Sequence, residues 1–375
     1  MSAHTLFWKS GSSSDGLKLR LKQKFGGRFR LVERLGEGGF GQVWRARDVL
    51  LDQEVALKVS TYDLSAETLH LRRLPKDRYV SIFDYIEDST LGAAAYAMEV
   101  LDAPWMTLDR YYETKLRLDF HNGQFIRALR MALLISIDLL ESLQVLHGRK
   151  YGRDQWCHGD IKPNNVYVHS KAAAIVTRQH WGDVFAPIVK IGDLGLATKA
   201  GSHLLAGAPD FMSPEQEHGK PVSPATDIFS VGQTLAFLIL GDPFERSDLV
   251  HINHLRERLE PRIPCAHLVW KIGDILRKMT LKTPALRPTA QTSMQLLRNI
   301  VESENDWLIL EIFSQKQNRS GLSLNEAAGE LFNELSSSRG WRNQTHERND
   351  EMKALVRACY KRGFLSLNGH CYTIE

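Results

Sequence analysis

Cysteine and long apolar runs are both scarce in this sequence, and each scarcity excludes a class of protein. The four cysteines among 375 residues lie far apart and form no C-x-x-C pair, which argues against a zinc site and against a disulfide framework. The longest apolar stretch, MALLISIDLL at 131–140, is too short to span a bilayer and contains an aspartate. The N-terminal residues lack the apolar core and small-residue cleavage site of a signal peptide. We therefore expect a protein of the reducing cytoplasm with no membrane span and no membrane partner.

Net charge is also small, and only its distribution is informative. A formal charge of +4, with 43% apolar and 25% charged residues, is typical of a soluble globular protein and does not by itself indicate nucleic-acid binding. Residues 1–35 nevertheless hold eight Lys or Arg residues against two acids. We interpret residues 1–28 as a basic N-terminal arm. A solvated lead-in to the first strand is the simpler interpretation, and a docking or phosphate-binding patch is the alternative.

The stretch HGDIKPNN at 158–165 carries the strongest chemical signal. It places an acid two residues before a lysine and five before an asparagine, on one short turn. Phosphoryl transfer uses such a set, because the acid orients the attacking hydroxyl, the lysine contacts phosphate oxygens and the asparagine binds magnesium. The stretch resembles the catalytic loop of eukaryotic-type protein kinases, H-R-D-x-x-x-x-N. The resemblance implies that Asp160 and Lys162 are catalytic and that Asn165 is a magnesium ligand.

Gly159 departs from that pattern, because the family usually has arginine there. HGD also occurs in the related small-molecule kinases, which keeps that activity open as an alternative. In kinases with the arginine, a phosphate on the activation loop must pair with its charge. Since glycine has no charge to neutralise, we predict that activity does not depend on phosphorylation of Thr198 or Ser202.

Residues 29–48 predict two strands joined by a glycine turn. The alternating pattern that follows the third glycine argues against a dinucleotide-binding loop, in which a helix would begin there. The turn resembles the kinase glycine-rich loop G-x-G-x-x-G-x-V, which lies over ATP. The residues that this resemblance assigns to ATP binding are Gly36, Glu37, Gly38, Gly39, Phe40, Gly41 and Val43.

The next strand, EVALKVS at 54–60, carries Ala56 and Lys58. They resemble the family's Ala-x-Lys, whose lysine holds the α- and β-phosphates. The family pairs this lysine with a glutamate on the following helix, and Glu67 is the only glutamate between Lys58 and Tyr79. We therefore predict a Lys58–Glu67 ion pair across a shortened connection.

Two further segments resemble kinase motifs. Met98 to Leu101 ends a strand and resembles the hinge, where the backbone of Glu99 to Leu101 would bind the adenine edge with Met98 beside it. Asp193-Leu194-Gly195 follows an apolar strand and resembles the family's D-F-G, which makes Asp193 the second magnesium ligand.

The stretch GAPDFMSPE at 207–215 resembles the end of the activation segment. Ala208 departs from the family here, because Ser/Thr kinases usually keep a threonine that contacts the catalytic aspartate. Asp227 resembles the buried acid that binds the backbone of the catalytic loop.

Residues 301–375 lie outside the kinase resemblance. Their pattern predicts three helices and a terminal hairpin around Asn368-Gly369, an arrangement similar to a winged helix. The segment holds nine basic and eleven acidic residues, although 339–362 has seven basic residues against three acids. We favour a protein-docking module, with nucleic-acid binding or a passive cap as alternatives.

Together these motifs predict an α+β, two-lobed protein-kinase-like fold with a small β-rich N-lobe at 29–101 and a larger helical C-lobe at 102–300. A winged-helix-like module at 301–375 follows. The function implied is ATP- and Mg²⁺-dependent transfer of a phosphoryl group to Ser or Thr of a protein substrate. A small-molecule kinase of the HGD type and a catalytically silent kinase-fold scaffold are the alternatives.

Overall fold

The computed structural model describes most of the chain, in residues 18–38, 41–61, 64, 68, 72–148, 155–174, 187–250, 252–263, 265–301, 304–315, 321–339, 346–368 and 371–374. These residues divide into two compact units. The first unit contains the described residues of 18–108, 141–174 and 187–230, and the second contains those of 109–140 and 231–374. Most of the predicted basic arm lies outside the described residues.

Six antiparallel strands form the main sheet of the first unit. They are β1 (Lys24–Phe25), β2 (Phe29–Gly38), β3 (Gly41–Asp48), β4 (Gln53–Ser60), β5 (Ile82–Asp88) and β6 (Ala93–Met98). Their order in the sheet is β1-β2-β3-β4-β6-β5. Residues along β3 alternate between partly buried and buried, because successive side chains of a strand point to opposite faces. The predicted strand-turn-strand is thus present, with Gly38 opposite Gly41 at its end.

One apolar core supports this sheet. Aromatic side chains of the first three strands pack with branched residues of β4 and with the small alanines of β6. The buried members are Phe25, Phe29, Leu31, Trp44, Ala46, Val55, Leu57, Val59, Ala93, Ala95 and Ala97. The alanines leave space for the large rings, so that large and small side chains together fill one layer.

Shorter strands complete the first unit and carry the predicted catalytic segments. Strands β7 (Trp105–Thr107), β9 (Val166–His169) and β10 (Val189–Ile191) form a sheet in the order β10-β9-β7, and β8 (Trp156–Cys157) pairs with β11 (Thr198–Lys199). A 3₁₀ turn, Pro163–Asn165, lies directly before β9.

Helices dominate the rest of the described chain. They are α1 (Leu108–Tyr111), α2 (Arg117–His121), α3 (Phe125–His147), α4 (Pro214–Glu217), α5 (Pro224–Leu240), α6 (Ile252–Leu259), α7 (Ala266–Met279), α8 (Ala290–Val301), α9 (Glu304–Gln315), α10 (Leu324–Arg339) and α11 (His346–Lys361). Between α1 and α2 the helix widens to a π-turn at Tyr112–Leu116. None of the helices among the described residues is both long and apolar enough to cross a bilayer.

The C-terminal segment has the three predicted helices, α9 to α11, and the predicted hairpin. Its strands are β12 (Leu322–Ser323), β13 (Leu365–Asn368) and β14 (Cys371–Ile374), in the order β12-β14-β13. The start of α10 carries a capping box, because Ser323 N–H donates to Glu326 at 2.8 Å while Glu326 N–H donates to Ser323 Oγ at 3.3 Å.

Within the second unit this segment packs directly on the preceding helices. Phe364 is 4% exposed, and the His267 ring of α7 stands perpendicular to it at 5.1 Å. Cys265 donates its S–H to the carbonyl of Phe364 at 3.8 Å, and the Trp307 indole N–H donates to the carbonyl of Ile300 at 3.2 Å. Residues on both sides of position 300 therefore share one compact unit, and a domain boundary there stays a prediction.

We predict that Phe364→Ala lowers the free energy of unfolding by about 3–5 kcal/mol, because it leaves a cavity between α7 and the C-terminal hairpin. Leu286→Ala is the matched control, since Leu286 is 68% exposed and its loss should change stability by no more than about 0.5 kcal/mol. Urea denaturation followed by tryptophan fluorescence measures both. Equal unfolding midpoints for the two variants would contradict the packing.

Candidate active site

A buried carboxylate fixes the backbone of the predicted catalytic loop. Asp227, near the start of α5, is fully buried and accepts the backbone N–H groups of His158 at 2.8 Å and Gly159 at 2.9 Å. His147 Nε2 lies 2.7 Å from the same carboxylate. Burial raises the pKa of Asp227, but the hydrogen bond and charge of His147 and the loop N–H groups outweigh it and hold the pKa below its ordinary value. The predicted structural role of Asp227 is thus present.

His158 links this loop to the segment that carries Asp193. Its Nε2 donates to the carbonyl of Gly192 at 3.0 Å, while its Nδ1 accepts the backbone N–H of Asp160 at 3.2 Å. Gly192 in turn donates its N–H to the carbonyl of Asn165 at 2.8 Å. The two predicted magnesium ligands therefore stand on backbone segments that are hydrogen-bonded to each other.

The carboxylate of Asp160 is held on both oxygens. Oδ2 accepts a hydrogen bond from Asn165 Nδ2 at 2.9 Å and lies 2.8 Å from Lys162 Nζ. Oδ1 accepts the backbone N–H of Ala208 at 3.0 Å. That last bond comes from the position where the resembled kinase motif has threonine, so a backbone donor contacts the carboxylate here.

Lys58 forms an ion pair with Asp193. Lys58 is 4% exposed, and Gly195 makes room for its ammonium, because a Cβ at Gly195 would overlap Nζ. Burial raises the pKa of Asp193, but the charge and hydrogen bond of Lys58 more than compensate and hold the pKa below its ordinary value. Glu67, the partner predicted for Lys58, lies outside the described residues.

An open cleft of about 1090 Å³ brings these groups together with the glycine-rich strands and the hinge. Thirteen of the predicted site residues line it: Gly36, Glu37, Gly41, Val43, Ala56, Lys58, Met98, Glu99, Leu101, Asp160, Lys162, Asn165 and Asp193. Gly38 ends β2, whereas Gly39 and Phe40 lie outside the described residues.

Gly41 shows why this part of the cleft needs glycine. Its φ is +129°, a conformation that side chains disfavour, and a Cβ there would overlap the carbonyl oxygen of Val59. The start of β3 therefore lies against the backbone of β4, close to Lys58.

The protein kinase domain matches residues 29–299 of the chain. The chain belongs to the protein kinase family. The motif-based prediction of this family is confirmed.

Several bacterial proteins are similar to this chain. The serine/threonine-protein kinase PrkC of Bacillus subtilis is 26% identical over 298 residues, covering 73% of this chain and 40% of PrkC. The serine/threonine-protein kinase PknA of Corynebacterium glutamicum is 29% identical over 279 residues, covering 70% of this chain and 54% of PknA. The chain thus spans about half the length of these relatives.

The crystal structure of the Mycobacterium tuberculosis PknI kinase domain superposes with a TM-score of 0.52 at 20% identity. The match covers 75% of this chain and 99% of that domain. It confirms the predicted kinase fold.

The structure shows polar contacts at the cleft that the sequence motifs did not indicate. Arg45 of β3 binds Asp102 through two hydrogen bonds of 2.8 Å at the edge of the cleft. Lys190 of β10 lies 2.5 Å from the carboxylate of the hinge residue Glu99. Lys190 lies between the buried Val189 and Ile191, and its partner is 91 positions away in the chain, a separation that no local pattern indicates.

We predict that Asp227→Asn lowers the free energy of unfolding at pH 7 by about 3–5 kcal/mol, because it disrupts a buried charge network. Asp227 has a lowered pKa, so its stabilising contribution is complete above the ordinary aspartate pKa of about 3.9 and is lost as the pH falls below that value. The difference in free energy of unfolding between the wild type and Asp227→Asn should therefore become smaller only below about pH 4. Exposed Asp77, changed to Asn, is the control. A difference that is already gone at pH 6 would contradict this role for Asp227.

Proposed function

We propose that the chain is an ATP- and Mg²⁺-dependent protein kinase that transfers the γ-phosphoryl group to a Ser or Thr hydroxyl of a protein. The observation that carries this proposal is the set of groups around Asp160. A carboxylate fixed by Asn165 and Ala208 stands 2.8 Å from a lysine ammonium, in a cleft that also holds the Lys58–Asp193 ion pair. Phosphoryl transfer depends on such positioning and on neutralising phosphate charge.

Each side chain has a distinct role in this proposal. Asp160 accepts a hydrogen bond from the acceptor hydroxyl and orients it, and Lys162 binds γ-phosphate oxygens. Lys58 binds the α- and β-phosphates, so nucleotide binding requires it to exchange its contact with Asp193 for one with phosphate. The hinge backbone from Glu99 to Leu101 binds the adenine edge, and Gly36 to Val43 covers the phosphates.

The donor set near Asp193 fits magnesium. Asn165 donates hydrogen bonds from its Nδ2 to Asp160, so the side-chain Oδ1 of Asn165 points away from Asp160. Asp193 provides a carboxylate as the second oxygen ligand. Magnesium prefers hard oxygen ligands and binds through one or two protein groups together with substrate phosphates. When bound, the metal neutralises charge that develops on the phosphates.

Three observations support a protein acceptor over a small molecule. Lys162 is present, and small-molecule kinases with HGD usually lack it. The cleft extends along the activation segment past Leu205, Phe211 and Met212, which provides an apolar surface beside Asp160 for a polypeptide. The bacterial relatives are named as serine/threonine-protein kinases. A silent scaffold is disfavoured because Lys58, Asp160, Asn165 and Asp193 occur together in one cleft.

For residues 301–375 we propose a winged-helix-like module that docks a protein partner. Three helices and the β12-β14-β13 sheet support the fold. Two of the seven basic residues at 339–362 have acidic partners within the chain, since Arg362 pairs with Asp306 and Lys353 lies 3.9 Å from Asp350. This pairing disfavours nucleic-acid binding.

Incubation of the purified protein with labelled ATP, magnesium and whole-cell lysate tests the proposal, and labelled protein bands are expected. Asp160→Ala should abolish transfer and leave Mg-ATP affinity within about threefold, because Asp160 acts on the acceptor. Asp193→Ala should weaken Mg-ATP binding as well. Exposed Asp77→Ala is the control for both. Equal loss of ATP binding in the two site variants would show that their roles are misassigned.

The activation segment is held by apolar contacts near Gly159, whose φ is +77°. A Cβ at Gly159 would lie 2.5 Å from Leu204, a member of the buried cluster of Cys157, Leu196, Leu204 and Val222. Strand β11 adds backbone pairing with β8. Apolar packing and backbone pairing therefore support the segment from this side.

From this arrangement we predict that protein treated with phosphatase, and then freed of it, retains most of its initial rate. Thr198→Ala and Ser202→Ala should each lower the rate by less than about tenfold, or ~1.4 kcal/mol of barrier. Progress curves of product formation measure this. A lag that disappears after preincubation with ATP would mean that self-phosphorylation is required.

A further inference from the structure

The backbone N–H of Ala208 orients Asp160, at the position where the family motif has a threonine hydroxyl. These two kinds of hydrogen-bond donor differ in how freely they can move. A threonine hydroxyl can rotate toward the carboxylate, whereas the Ala208 N–H points where the chain directs it. The bond of 3.0 Å to Asp160 Oδ1 therefore depends on how residues 206–208 are held against the catalytic loop. Gly207 allows the close approach, with φ +137° and a Cβ position only 3.3 Å from the carbonyl of Gly159.

Gln216 is the side chain that joins these two segments. It is fully buried, and its Nε2 donates to the carbonyl of Gly159 at 2.8 Å and to the carbonyl of Ala206 at 3.1 Å. One of these carbonyls directly precedes Asp160, and the other lies two residues before Ala208. Its Oε1 accepts the backbone N–H and the hydroxyl of Ser213, at 3.1 and 3.0 Å.

We propose that Gln216 is a positioning residue for phosphoryl transfer, which aligns the Ala208 N–H with the carboxylate of Asp160. The inference rests on the proposed kinase activity. The Gln216 amide group donates one hydrogen bond to the catalytic loop and one to the activation segment, and the relative position of these two segments sets the Ala208–Asp160 bond. Because Gln216 is buried, water does not replace these two hydrogen bonds. A rigid amide bridge thus takes the place of the adjustable hydroxyl that this chain lacks at position 208.

The bridge can be separated from the capping of α4 by mutation. Gln216→Glu keeps an oxygen for Ser213 but loses both donors to Gly159 and Ala206. Gln216→Met retains the volume and removes all polar contacts. Ser213→Ala removes one contact to Oε1 and leaves the bridge intact, so it reports the effect of weakened capping alone.

For Gln216→Met and Gln216→Glu we expect kcat on a protein acceptor to fall by about 10- to 100-fold, since a misplacement of about 1 Å can cost about 100-fold. The Kd for Mg-ATP, measured by titration without acceptor, should stay within about twofold, because Gln216 touches no group assigned to the nucleotide. Ser213→Ala should keep kcat within about threefold.

Rescue gives the decisive comparison. Adding Ala208→Thr to Gln216→Met supplies Asp160 with a side-chain donor and should recover kcat by about fivefold or more relative to Gln216→Met, with Ala208→Thr alone measured to complete the double-mutant cycle. No recovery, an unchanged kcat in Gln216→Met, or a loss of Mg-ATP affinity and thermal stability that accounts for the loss of kcat would each overturn the inference. If the wild-type protein labels no acceptor, the proposed function itself fails, which is a separate result.

Discussion

The Asp227 carboxylate is the constraint on which the rest of the site depends. It is fully buried and accepts two consecutive backbone N–H groups of the predicted catalytic loop. Buried backbone N–H groups need such partners, because leaving them unpaired costs free energy. His147 adds a third contact. A carboxylate in this setting stays ionised only because its partners outweigh the cost of burial, so the charge and the loop conformation stabilise each other.

From that point a continuous set of hydrogen bonds reaches the reacting groups. His158 connects the loop to Gly192, and Gly192 connects to Asn165, whose amide meets Asp160. The activation segment joins through its backbone and through one buried amide. Because each bond uses a backbone group or a buried side chain, the geometry depends little on flexible groups. Such preorganisation suits a reaction in which positioning provides most of the catalysis.

Gly159 and Ala208 depart from the family pattern, and in each case a different contact in the same region takes the place of the missing one. Gly159 takes a left-handed conformation and lies against Leu204, so apolar packing occupies the place of a charged contact. Ala208 contributes its backbone N–H to Asp160 at the position where the family motif has threonine. Both changes replace adjustable or charge-dependent contacts with fixed ones.

The sequence by itself determined the family, the order of the motifs and most of the cleft residues. Local patterns suffice there, because glycine spacing, strand alternation and the periodicity of the helix at Phe125–His147 are set by neighbours in the chain. Contacts between distant segments were decided only by the tertiary structure. The Lys190–Glu99 pair and the Gln216–Gly159 bridge join residues that lie 91 and 57 positions apart. No local periodicity encodes such pairs, because they form where separately folded segments meet, and each depends on the direction of a backbone group or side chain in three dimensions.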